Sequence, residues 1–347
     1  MQIESKANSW LRTSLGLLIV ALCLGSTVAA FDPPDKNASP EKKATKDPAK
    51  SKSLPPPKTA LESATTKAAT TKTGFIRIRQ SAEKEPISLD TSIVRYGLTH
   101  AKHSVTVDLV GVVHIGDAKY YKSLNKKLAG YDAVLYELVA PKGTRIPKGG
   151  HRSNHPVSFL QRSMKQVLEL EFQLEEIDYT PKTFVHADMT PTEFSKSMEE
   201  RNESFFKIMM RSMRESMKQQ LDPENQQNMP SDWDLIRALM SRDRSMKMKR
   251  LMAGQLAEME RHMKILEGPN GSTLITERNK RALEVMQSEI EKGKKKLAIF
   301  YGSGHMPDME KRLNESYKAK RQTTEWLTAW DMSTEAKNTK KPADKLQ

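Results

Sequence analysis

Residues 105–124 read VTVDLVGVVHIGDAKYYKSL, and the fold is decided here. The run Ser104–His114 has the near-continuous apolar character of a strand buried on both faces. Such a strand has no structural need for a histidine at its tip, yet it ends Gly111-Val112-Val113-His114. A helix-forming segment follows at once, with Asp117 placed as its N-cap and Gly130 at its end. Tyr131–Val139, YDAVLYELV, is a second strand rich in β-formers. Strand, helix and strand at this spacing predict a parallel pair joined by a right-handed crossover. Near the other end, LAIFYGSGHMPDMEKRL (297–313) repeats the arrangement: an apolar run, Gly302, two residues, His305 and a helical pattern.

Working outward, Phe75–Gln80 and Thr91–Leu98 read as strands, Thr183–Asp188 as a short strand and Thr323–Met332 as a closing one. Helical periodicity covers 158–178 as one amphipathic segment, 190–221, 231–266, 271–296 and Met306–Tyr317. The fold class is therefore α/β (α+β), with a mixed, mainly parallel central sheet and a large Met-rich helical insertion at about 190–266. Most of the 19 methionines lie between Met189 and Met263. They read first as unbranched core filler, and second as an adaptable groove for apolar partners.

The two ends read differently. Lys6 and Arg12, the apolar run Leu15–Leu24 and Thr27-Val28-Ala29-Ala30 make residues 1–30 an export signal. The apolar run is short for a membrane span, so the expectation is a periplasmic or secreted protein, membrane-tethered if the signal stays uncleaved. Cys23, the single cysteine, lies inside that signal, so the mature chain has no disulfide, thiolate nucleophile or thiolate metal site. Residues 31–73, rich in Pro, Lys and Ala, are expected to be a disordered linker, and 333–347 a disordered tail around a folded domain at 74–332. The net charge of +14 falls about half on these ends, and elsewhere basic and acidic residues alternate along helices. No nucleic-acid motif accompanies it, and no nucleic-acid partner is expected.

In an α/β sheet, ligands sit beyond the carboxyl ends of the strands. His114, Glu137 and His305 all fall at such ends. Two imidazoles and a carboxylate suit a divalent metal (Mn, Co, Zn or Fe), which would acidify a water and polarise a carbonyl. Each residue has a structural reading too: a hydrogen-bonded strand-end histidine, or a salt-bridging glutamate. Gly111 and Gly302 allow tight turns or a close-lying group. His186 and Asp188 end a strand and suit a supporting role beside the ligands. Glu277-Arg278-Asn279 are consecutive on a helix, so not all three can face one site.

GVVH, YDAVLYEL, LITERNKRAL and YGSGHMPDMEKRL together resemble the TraB/PrgY and Tiki family, whose wider superfamily includes erythromycin esterase and the haem-binding ChaN lipoproteins. The resemblance runs over roughly 74–332. It implies an α/β core with helical insertions and, by the Tiki members, a metal-dependent peptidase. His114 and His305 then fill the two GxxH positions, Glu137 the strand-end acid, and Glu277 and Arg278 the helical pair. Ala187-Asp188-Met189 stands where the family usually places Asp-Arg. The reading that follows is an exported metal-dependent hydrolase cleaving a peptide or similar acyl bond of a peptide or small-molecule substrate. Glu277 would bind metal or act as general base; Arg278 would steady an oxyanion or a substrate carboxylate, and Asn279 would support the site. The alternative is a non-catalytic protein on the same scaffold that sequesters a peptide, haem or another apolar ligand.

Overall fold

The computed structural model describes residues 74–333, apart from 102, 145, 150–164, 166, 222–231 and 258–269. The expected signal, linker and tail beyond Ser333 lie outside the described residues. So does the beginning of the 158–178 segment.

Strands β1 (Ile76–Gln80), β2 (Pro86–His100) and β3 (His103–Val112) open the domain as an antiparallel meander. After the two-residue β4 (Ile115–Gly116) come helix α1 (Ala118–Leu128) and β5 (Ala133–Tyr136). The two-residue β6 (Glu171–Phe172) leads directly into α2 (Gln173–Glu176), followed by β7 (Phe184–His186). The helical part holds α3 (Pro191–Glu200), α4 (Phe205–Leu221), α5 (Asp232–Leu239) and α6 (Arg244–Ala257). A π-helical turn, Thr273–Glu277, enters α7 (Arg278–Glu291), and then β8 (Lys296–Gly302), α8 (Met306–Ser316) and β9 (Lys320–Asp331) complete the fold.

The fold is α/β, as the sequence predicts. One seven-stranded mixed sheet contains β3, β8, β5 and β7 as a parallel block, so four of its strands share one direction with their neighbours. Residues 88–91 of β2 pair with both β1 and β9, and residues 93–97 with both β3 and β9. Since a strand has two edges, β9 occupies one and β1 and β3 share the other. The long β2 can serve three partners because it is fifteen residues long.

Alternate residues of the parallel strands enter opposite cores, which is why these strands are apolar throughout. On β8, Leu297, Ile299 and Tyr301 face α7 and α8 through Met286, Ile290, Met306 and Met309. Ala298 and Phe300 face the opposite layer, with Tyr121 and Leu124 of α1 and Met252 of α6. The outcome is helix, sheet, helix, in three layers. No described helix is long and apolar enough to cross a membrane.

Four expectations give way, the first being that the described part of 231–266 is two helices parted at 240–243 rather than one. The 158–178 segment is not one helix: its described end breaks at Leu170, and Glu171–Phe172 pairs with Ile115–Gly116. Glu169 takes φ +52 just before the break, a backbone conformation that ends a helix. Likewise 190–221 is two helices, parted where Asn202 adopts φ +53; asparagine tolerates that region better than most residues. The methionines divide as well. Met252, Met286, Met306 and Met309 are core filler, whereas Met209, Met210, Met213 and Met240 are exposed.

Candidate functional site

The register of the parallel block brings the two GxxH segments together. Gly111 pairs with Tyr301 and Val112 with Gly302, so His114 and His305 leave adjacent strand ends. Tyr136 pairs with Phe300 on the other side of β8, which places Glu137 beside Gly302. The Glu137 carboxylate accepts the Gly302 N–H at 2.7 Å through Oε2. Its Oε1 accepts from Arg278 Nη2 at 2.8 Å and lies 3.5 Å from His305 Nε2.

Both imidazoles are held by an amide. Asn279 donates its Nδ2 to the His305 carbonyl (3.1 Å) and to Asp308 Oδ2 (2.8 Å), leaving its Oδ1 as acceptor. His305 Nδ1, 2.7 Å from that oxygen, is therefore the protonated nitrogen of its neutral form, and Nε2 carries the lone pair. Gln173 does the same for His114. Its Nε2 reaches the Tyr179 hydroxyl at 3.1 Å, and its Oε1 lies 3.0 Å from His114 Nδ1. Two Nε2 lone pairs thus remain near one carboxylate.

Gly302 completes the arrangement through the space it leaves. Its φ is −52°, so its backbone does not require glycine. A Cβ there would lie 3.4 Å from Glu137 Oε2 and 3.6 Å from His114 Nε2, in the gap between them. Gly111 is also a close-approach position, with Ser303 Oγ 3.0 Å from where its Cβ would be.

Charge is concentrated and internally paired. Arg278 is 2% exposed and bonds Asp188 through both Nε (2.9 Å) and Nη2 (2.6 Å), besides Glu137. Burial alone would raise the Glu137 pKa, but the Arg278 guanidinium outweighs it and holds the carboxyl well below its usual range. For His114 burial dominates, pushing the pKa down against the pull of Glu137 and favouring neutral imidazole. One guanidinium faces two carboxylates, so the surplus near the imidazoles is negative. His114 is the partly exposed member of the cluster.

The sequence-predicted residues separate on these facts. His114, Glu137, His305, Arg278, Asp188, Asn279 and Gly302 form one network. His186 adjoins it through its Nε2, 2.6 Å from the Leu138 carbonyl, and through its ring on Tyr136. Glu277 goes elsewhere: its Oε1 accepts from Arg201 and Lys280, each at 3.0 Å. The helical spacing explains this, since residue 277 points away from the side that 278 and 279 share. Gln173 is the functional residue that sequence reading missed. It lies in a polar run read as a helix face, and only the break at Leu170 brings it under His114.

A divalent cation fits the donor chemistry: two imidazole nitrogens with their second nitrogens fixed by amides, beside an anionic carboxylate. Among the described residues, however, no three such side chains are drawn close enough to form a closed metal cage. The fold and site together define a three-layer α/β protein with a buried His–Glu–Arg network at the carboxyl edge of its parallel strands. Comparison with protein-family models, with curated proteins and with solved structures finds no match to the chain.

Proposed function

We propose that the protein is an exported metal-dependent hydrolase that cleaves a peptide or similar acyl bond. The observation that carries this reading is the pair of strand-end histidines. Each has its Nδ1 fixed by an amide oxygen, and the Nε2 of His305 lies 3.5 Å from the Glu137 carboxylate. The resemblance of GVVH, LITERN and YGSGHM to the TraB/PrgY and Tiki family points the same way.

In this reading His114 Nε2, His305 Nε2 and Glu137 hold the cation, whether Mn, Co, Zn or Fe. When bound, it supplies a Lewis acid and an acidified water. Gln173 and Asn279 keep each imidazole in the ligating tautomer. Arg278 does not meet substrate; it fixes the Glu137 carboxylate and is itself oriented by Asp188. Gly302 keeps the gap between carboxylate and imidazole open, and substrate enters past His114. A second reading, a binding protein for a peptide, haem or another apolar ligand, is favoured by the commitment of both Glu277 and Arg278 to ion pairs. That commitment leaves neither as a free acid or oxyanion donor.

Metal content of the purified protein decides between them. The expected outcome is about one divalent ion per chain, lost in His114→Ala and His305→Ala with the fold retained, and chelator-sensitive cleavage of a peptide library. Metal bound without turnover on any peptide would favour the binding protein. A wild type that melts cooperatively yet takes up no divalent ion would overturn the metal site.

A further inference from the structure

Every large hydrophobic side chain that is exposed among the described residues lies between Phe205 and Met240. Five are on α4: Phe205, Phe206, Met209, Met210 and Met213, each between 40% and 65% exposed. At 100° per residue they cover one continuous side of the helix. Lys207, Arg211, Arg214 and Lys218 form a second sector along the edge of that stripe, and all four are exposed. Lys207 keeps its charge at the surface while bonded to Asn202 at 2.7 Å.

The helix has an inner side as well. Ile208 is 4% exposed and packs with Val139, Phe194, Leu274 and Ile275, while the Phe205 ring stacks on Phe194 at 6.3 Å. Those contacts fix the first turn of a helix about 25 Å long. The apolar stripe is thus turned outward on a convex rod. A pocket would enclose such side chains, and a coiled-coil partner would not require the cations along one edge. Exposed Phe and Met bordered by Lys and Arg match a surface that is apolar within and negatively charged at its face.

The next described helix along the chain repeats the pattern. On α5, Trp233, Ile236 and Leu239 are exposed while Leu235 and Ala238 are buried, with Arg237 beside the exposed side and the exposed Met240 just after the helix. Tryptophan at 69% exposure suits the headgroup level, where one end of the ring is wet and the other apolar.

We propose that α4 docks on an anionic lipid bilayer, its Phe and Met stripe sunk among the headgroups and its Lys and Arg edge at the phosphates. The helix lies in the interface and does not cross it, in keeping with the absence of any described helix long and apolar enough to span. This inference is independent of the hydrolase reading. Its consequence is that the protein acts at a membrane surface rather than in free solution.

The test uses the full chain with Cys23→Ser and a polarity-sensitive bimane on Met210→Cys. The probe partners are vesicles of phosphatidylglycerol with phosphatidylcholine, and vesicles of phosphatidylcholine alone. Anionic vesicles are expected to shift the emission to the blue, and phosphatidylcholine alone to give a small shift. Salt should weaken the response. Replacing Lys207, Arg211 and Arg214 by Glu should raise the lipid concentration for half-response by about tenfold or more. Anchoring by residues 15–24 alone would leave the label at 210 in water, and that outcome, vesicle binding with no shift, overturns the proposal. A shift that follows protein concentration without lipid would assign the face to a second copy and overturn it equally.

Discussion

The carboxyl edge of the parallel strands and the helix α4 handle their polar and apolar groups in opposite ways. At the strand edge, charged and polar side chains are buried, and each is answered: Arg278 by Asp188 and Glu137, Asn279 by His305 and Asp308, His114 by Gln173. Along α4, apolar side chains are left in water with nothing described covering them. Burying ionised groups is costly unless they are paired, and exposing large apolar groups is costly unless something binds them. Both costs mark function. The first region spends stability on holding a fixed geometry; the second holds back stability that a partner can supply.

The comparison breaks most sharply at Arg278. Replacing it with Met keeps the volume but leaves Glu137 and Asp188 buried and uncompensated. A loss of about 3–5 kcal/mol of unfolding free energy is expected, read from denaturant midpoints. A loss within about 0.5 kcal/mol, the ordinary range of a surface change, would free the arginine for the substrate role that its sequence position suggested.

Asn279 sharpens the same region with a smaller effect. Asn279→Ala removes the acceptor that fixes His305 and the donor to Asp308, at an expected cost of about 1–3 kcal/mol. On the proposed function, divalent-metal affinity should also fall by about 10–100-fold, because His305 can then turn its proton to Nε2. Titration calorimetry with a divalent metal separates the two. A stability loss with unchanged metal affinity would make Asn279 a structural residue alone.

How much of this was legible in the sequence follows from how local each signal is. The strands were readable because burial on both faces makes them apolar throughout, and register then forced His114, Glu137 and His305 to one edge. Arg278 and Asn279 were located; helical geometry said only that not all three consecutive residues could face one site, and it did not say that Glu277, which was given a metal or base role, would be the one to pair with Arg201 and Lys280 instead. Gln173 was hidden because its position depends on a break at Glu169 and on pairing with Ile115 and Gly116, neither of which shows in periodicity. The division at Asn202 escaped for the same reason, since one residue with positive φ interrupts an otherwise continuous helical pattern. The methionines misled because helical spacing alone does not say which side is turned inward. Arg278 reaches Asp188 from another element, a pairing that no local pattern in the sequence shows.

The smallest expected effect belongs to α4, and its smallness is the point. Phe206 is 65% exposed and Met210 44% exposed, so a large part of their apolar surface stays in water on folding. Helix propensity changes little from Phe to Ser, and by a few tenths of a kcal/mol from Met to Ser. The double change Phe206→Ser with Met210→Ser should therefore leave stability within about 0.5 kcal/mol, checked by the same denaturant titration. Ile208→Ser, one turn position away, should cost about 2 kcal/mol or more, because that side chain lies in the cluster with Val139 and Leu274. If instead Phe206 and Met210 proved as costly as Ile208, their side chains would be packed in solution. The apolar stripe would then be part of the fold's own interior, and the contrast between the two regions would vanish.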